Sequence, residues 1–264
     1  MQGILIKILK LCEKQALIQY VGEKAVERLS QSREYFLPLG DNRCYMTFRY
    51  FNDEEVTIYV DEKDFIICTD EKKILDTVKK MDTMRTGALQ LHEFFMELTS
   101  DDIYKLQALE KQIMNVEDQL LIDSNPDRKI MFKIVAIRKE LLKIKRYYVQ
   151  LGFLTDEMSA ANSQWNLIEK KMDRLLDFSL HLQEYVEQVR EAYQSQIDIE
   201  QNNIMKIFTV VTTIFLPLTL IVGWYGMNLM MPEFQWEYGY PLVIGISAAV
   251  VIALVVIFKK KKWF

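Results

Sequence analysis

An α+β cytoplasmic domain, a long stalk helix and two C-terminal transmembrane helices are what this sequence predicts. Three observations carry the prediction. Charge is segregated: none of the 33 basic residues falls within 207–258, which holds only two acids, Glu233 and Glu237. Short β-rich stretches fill residues 34–69 and give way to helical periodicity near Glu71. No proline stands between Gly152 and Pro217, and apolar residues recur there in a 4-3 rhythm.

The same numbers exclude several classes of function. Residues 1–206 carry 29 bases against 35 acids, so a charged body precedes an apolar end. That is neither an ordinary soluble enzyme nor a carrier with many spans. Three cysteines (Cys12, Cys44, Cys68) without CxxC spacing build no disulfide scaffold and no zinc site, and an odd count suits a reducing compartment. His92 and His181 lie too far apart in the chain to complete a histidine zinc motif. No glycine-rich loop is present to cradle a nucleotide phosphate, and a pI near 5.5 argues against nucleic acid as the main partner. No catalytic constellation or resident cofactor is expected.

At the N-terminus, Lys7 and Lys10 interrupt the apolar stretches, which makes a poor signal peptide. Strands follow at Glu34–Leu37, Cys44–Phe51, Val56–Val60 and Phe65–Thr69, with Asp41-Asn42 and Asn52-Asp53 as turns. A helix from about Asp101 to Ile122 meets the Asn125-Pro126 break, and a second runs from Pro126 to about Leu151. Residues 101–123 carry six acids and two bases, whereas 127–146 carry eight bases and two acids. Antiparallel pairing through complementary charge is the expectation. From about Ala160 one helix should run unbroken into the first apolar segment. Ile168, Met172, Leu175, Leu182, Val186, Val189 and Tyr193 share one stripe on it, with Ser179 in a vacant slot. About 60 residues of helix, roughly 90 Å long, implies partners and self-association.

Ile207–Tyr225 and Pro241–Phe258 run 19 and 18 residues without a charge, enough to span a bilayer. The second run is apolar on every side, which a surface helix of a soluble protein is not. Lys259–Lys262 anchors its end in the cytoplasm, so both termini are cytoplasmic and the loop between spans faces outward. Trp224, Trp236, Tyr238, Tyr240 and Trp263 sit at interfacial positions. The resulting division is 1–100, a small α/β cytoplasmic domain; 101–155, a charge-complementary helical hairpin; 156–205, the stalk; 206–227, the first span; 228–240, the outer loop; 241–258, the second span; and 259–264, a basic tail. A second track runs down the stalk and first span: Asn202, Met205, Phe208, Thr212, Leu216, Thr219 and Gly223. In a lone anchor its threonines bond back to the preceding turn. In a symmetric bundle they form rings along a pore. Periodicity leaves both open.

Trp224-Tyr225-Gly226-Met227-Asn228 ends the first span, and Met231-Pro232-Glu233 with Gly239-Tyr240-Pro241 leads into the second. Together with Met205-Lys206, Ile214–Thr219 and Lys259–Lys262-Trp263, this resembles the CorA family of divalent-cation channels. The resemblance is clearest over residues 160–264. It implies a homopentamer in the inner or plasma membrane, with the first span lining a pore that admits Mg²⁺ as the transported ion, and Co²⁺ and Ni²⁺ in some members. By the same resemblance, Gly226, Met227 and Asn228 form the selectivity filter, and the seven-residue track lines the path, with Met205 and Phe208 as an apolar collar. Leu216 stands where methionine is commoner. Glu233 and Glu237 are outer-loop acids that raise the local cation concentration. Glu191 matches an acidic stalk position that helps hold a regulatory Mg²⁺, but the N-terminal domain is shortened and its partner acid has no clear counterpart. Zn²⁺ is the runner-up ion, and a membrane-tethered coiled-coil sensor or scaffold without conduction is the alternative function.

Overall fold

The structure, a computed structural model, describes residues 5–23, 35–39, 43–81, 87–122, 128–161, 163–227, 236–261 and 263. The Asp41-Asn42 turn and the Asn125-Pro126 break lie outside the described residues. The chain divides into two compact units, the first through Glu191 and the second from Ala192 onward.

The first unit opens with β1 (Leu5–Leu9), a 3₁₀ segment (Leu11–Leu17) and the short α1 (Ile18–Val21). The strands β2 (Tyr35–Pro38), β3 (Cys44–Arg49), β4 (Glu55–Val60) and β5 (Asp64–Cys68) form an antiparallel meander. Here β1, absent from the sequence expectation, adds a parallel strand against β5, giving the order β1-β5-β4-β3-β2. Lys7, which reads as an interruption of the apolar run, is accommodated at this edge. Its ammonium pairs with Asp64 at 3.1 Å and donates to the Tyr20 hydroxyl at 3.2 Å.

Strand alternation sorts the core onto two faces. One face packs Tyr45, Tyr59, Ile66 and Cys68 with Leu17, beneath Leu11, Tyr20 and Val21. The other face carries Phe48 and Phe65, whose rings lie 6.3 Å from Phe95 and 6.1 Å from Phe94 on α3 (Gly87–Leu98). The turn between β3 and β4 is closed by Tyr50 N donating to Glu54 O at 2.9 Å, with Asp53 at φ 65°. Between β4 and β5, Asp61 Oδ1 accepts from the backbone of Lys63 and Asp64 at 2.7 and 2.6 Å. Helix α2 (Lys72–Lys80) begins where Glu71 accepts from Lys73 N at 3.3 Å.

Helices α4 (Asp102–Ile122) and α5 (Arg128–Ala161) form the hairpin, and the cross-hairpin contacts among the described residues are mainly apolar. Their buried positions are apolar: Leu106, Leu109, Ile113, Val116 and Leu120 on α4; Ile130, Ile134, Ile137, Leu141 and Ile144 on α5. Most of the opposed charges stay exposed. Lys133 donates to the uncharged Gln119, Arg138 pairs with Glu187 at 2.9 Å, and Glu117 accepts from Tyr185. Surface charge stays hydrated and contributes little, while apolar burial drives the pairing. Helix α5 also continues past Leu151, its expected end, and through Gly152. Leu151, Leu154 and Met158 keep its apolar face buried, and the Thr155 hydroxyl donates to Leu151 O at 2.9 Å. After a 3₁₀ turn (Ser163–Trp165), α6 runs from Asn166 to Tyr225, and α7 from Gly239 to Lys260. The long helix therefore starts six residues later than the periodicity implied. All seven residues of its predicted stripe are buried, as is Ser179, which donates to Leu176 O at 2.7 Å.

Candidate functional site

The second unit holds the end of α6 and all of α7. Each contains a window long and apolar enough to cross a membrane, and only 6% of either window is buried within the chain. Burial this slight separates these helices from the core helices of a soluble fold, because their apolar surface needs lipid or other subunits to cover it. An apolar groove of about 680 Å³ runs between them, with Leu218, Ile221 and Tyr225 on one wall and Tyr240, Val243 and Ser247 on the other. Ser247 is the single aliphatic hydroxyl of α7 and the one polar side chain between Pro241 and Phe258, a signal the sequence expectation did not use.

The second track lies elsewhere. At 3.6 residues per turn, Met205, Phe208, Thr212, Leu216, Thr219 and Gly223 fall about 150° round the helix from the groove wall. All six are exposed, as is Asn202 one turn further in, with Met205, Phe208 and Leu216 more than 60% exposed. The threonines bond back into the helix: Thr212 donates to Phe208 O at 2.8 Å and Thr219 to Phe215 O at 2.8 Å. With the proton so committed, each hydroxyl oxygen keeps its lone pairs as acceptors. Pro217 lacks an N–H, so the Thr213 carbonyl loses its usual helical donor.

Residues 45–260 match the family profile described as CorA-like Mg2+ transporter protein. The chain belongs to this family. The cobalt/magnesium transport protein CorA of Thermotoga maritima is 29% identical over 185 residues, 66% of this chain and 52% of that protein. The magnesium transport protein CorA of Haemophilus influenzae is 28% identical over 284 residues, 91% of this chain and 88% of that protein. This chain thus spans about half the length of the first relative and most of the second. The complete structure of the CorA magnesium transporter from Methanocaldococcus jannaschii superposes with a TM-score of 0.79 at 21% identity, covering 99% of this chain and 92% of that one. At that identity the likeness is one of fold.

The Tyr225-Gly226-Met227-Asn228 run starts at the last residue of α6. Gly226 N donates to Val222 O at 2.8 Å, and a Cβ on Gly226 would stand 2.9 Å from the same oxygen. Met227 is exposed and its N–H reaches Trp224 O at 3.3 Å. Asn228, Met231, Pro232 and Glu233 lie outside the described residues. Glu237 is exposed between Trp236 and Tyr238, whose rings meet edge-on at 6.1 Å. Glu191 is exposed on α6, and no group of three or more metal-ligating side chains occurs among the described residues. Its neighbour Glu187 is engaged by Arg138 at 2.9 Å and Arg190 at 2.7 Å.

Proposed function

We propose that this chain assembles as a homopentamer that conducts divalent cations, Mg²⁺ first among them, passively down the membrane potential, and that it is not an enzyme. The observation that carries the reading is the exposed track on the side of α6 away from the second span. In a ring of five such helices that side faces the axis, and each position repeats as a ring. Moving inward, Thr219, Leu216, Thr212 and Phe208 are separated by roughly 4.5, 6 and 6 Å along the helix.

Mg²⁺ surrenders its waters reluctantly, so neutral oxygens that accept from those waters suit it better than a cage of carboxylates. The Thr219 and Thr212 oxygens are such acceptors along the path. Gly226 and Asn228 take that part at the outer mouth, with Met227 completing the filter. Phe208 and Met205 supply an apolar constriction that closes by excluding water. Glu233 and Glu237 attract cations from outside, and Lys259–Lys262 fixes both termini in the cytoplasm. Two charges crossing 100 mV release roughly 4–5 kcal/mol, so no nucleotide hydrolysis is required. Glu191 is the stalk residue proposed to bind a regulatory Mg²⁺.

Uptake into proteoliposomes under an imposed potential, comparing Mg²⁺, Co²⁺, Ni²⁺ and Zn²⁺, tests this. Mg²⁺ flux should be lost in Asn228→Ala while the pentamer survives on size exclusion. Wild-type flux in that variant removes Asn228 from the filter. No flux from an assembled wild-type pentamer leaves a membrane-tethered scaffold instead.

A further inference from the structure

Within the first unit, a cleft of about 630 Å³ opens between the β3–β4 turn and the middle of α5. Four cations line it, Arg49 from the strand end and Lys143, Lys145 and Arg146 from the helix, against one carboxylate, Asp53. Asp53 is already engaged, its Oδ2 accepting from Arg49 Nη1 at 3.3 Å and its backbone oxygen from the same nitrogen at 3.2 Å. The side chains of Lys143, Lys145 and Arg146 have no hydrogen bond or ion pair among the described residues. Three like charges on one wall repel one another, and an anion between them removes that repulsion.

The frame around these cations is held in place before any ligand arrives. Gln150, 9% exposed, accepts from Arg49 N at 2.8 Å and donates to Arg146 O at 3.1 Å, tying the turn to the helix. Aromatic rings complete the cleft, with Phe51 and Tyr147 centred 4.2 Å apart. Tyr147 is 1% exposed and its hydroxyl has no hydrogen-bond partner, an unmet need in a buried group.

We propose that this cleft binds a chain of phosphates, carried by a nucleoside triphosphate with its ring against Phe51 or by inorganic tripolyphosphate. Two arginine forks and two lysine point charges suit several adjacent phosphates better than a lone carboxylate. The same wall repels a free divalent cation, and all its residues belong to the first unit, so the proposal does not depend on the transport reading. Mg²⁺ on the phosphates cancels part of their charge, so the metal-free anion binds more tightly.

Isothermal titration of the full-length protein in detergent with EDTA, using ATP and tripolyphosphate in turn, provides the test. Saturable binding that weakens with added salt is expected. The double variant Lys143→Gln/Arg146→Gln should bind about tenfold more weakly or worse. Lys133→Gln/Lys139→Gln, on the same helix outside the cleft, should bind as the parent does. Tighter binding of ATP than of tripolyphosphate, abolished by Phe51→Leu, assigns the ring contact. Equal affinities assign the site to the phosphates alone. The absence of saturable binding for both anions, or equal loss in the two double variants, overturns the proposal. So does dissociation of the oligomer by the cleft variant without any anion present, which makes the cleft a contact between subunits.

Discussion

Removing the carboxylate of Asp102 should unfold the first unit at a markedly lower temperature. Asp102 opens α4 with its side chain only 2% exposed, and its Oδ1 meets Lys105 Nζ at 2.6 Å and Lys73 Nζ at 3.6 Å. Burial pushes the Lys73 pKa down, and Lys105 adds to that while Asp102 opposes it. Asp102→Ala therefore leaves two ammonium groups together without a counter-charge. Breaking a buried pair costs roughly 3–5 kcal/mol, and the low end, about 3 kcal/mol, applies because both lysines can turn to water. Their side chains are 34% and 44% exposed. At about 2–4 °C per kcal/mol for a unit of this size, Tm falls by roughly 6–12 °C. Trp165, 6% exposed and 6.0 Å from the His92 ring, reports this unit by fluorescence once Trp224, Trp236 and Trp263 are changed to phenylalanine. Asp102→Leu/Lys73→Met removes both charges and should recover most of the loss. A drop under about 2 °C for Asp102→Ala, or a double variant no better than the single, refutes the reasoning.

Gly87→Ala should cost about 1–3 kcal/mol, because the new Cβ would stand 2.3 Å from the Asp61 carbonyl oxygen and 2.7 Å from Val60 Cγ1; an unchanged melting temperature contradicts this. Asp156 has its carboxyl pKa raised by burial and then by Glu169, Asp173 and Glu157. Such a group loses stabilising effect as pH rises through its folded pKa, so Asp156→Asn should match the parent in acid and exceed it at neutral pH. Parallel melting profiles across that range would show the shift to be absent. In the second unit, Phe208→Ala or Met205→Ala should raise basal ion leak in proteoliposomes by wetting the proposed apolar collar, and parental leak in both locates the barrier elsewhere.

What was legible in the sequence was whatever repeats locally. The stripe from Ile168 to Tyr193 needed only a 3–4 spacing, and every member is buried. The β3–β4 hairpin was announced by Asn52-Asp53, the short polar pair that tolerates the positive φ found at Asp53. Strand β1 was not legible, because a lysine breaks its pattern and its partner lies 59 positions away, Leu5 opposite Asp64. Asp102 looked like one of six acids on a solvated helix; only packing buries it. The proposed permeation track could be listed from spacing, but which way it faces depends on the position of α7, and one helix's periodicity does not encode that. The cleft cations read as half of a charge-complementary hairpin because a charge count does not distinguish a hydrated face from a concave one.

The parallel edge of the sheet also has a consequence in time. Strands β2 to β5 follow one another through short connections, so each finds its neighbour as soon as it is made. Strand β1 is synthesised earliest of the five, yet its sheet partner among the described residues, β5, is the last to appear. Closing so long a loop is slow relative to closing a hairpin. Until then the N-terminal segment waits unpaired, and the Tyr45–Tyr59–Ile66 face that Leu17 covers remains open. During synthesis that face is a target for chaperones or for another nascent copy, and the hazard ends when β5 completes its ladder.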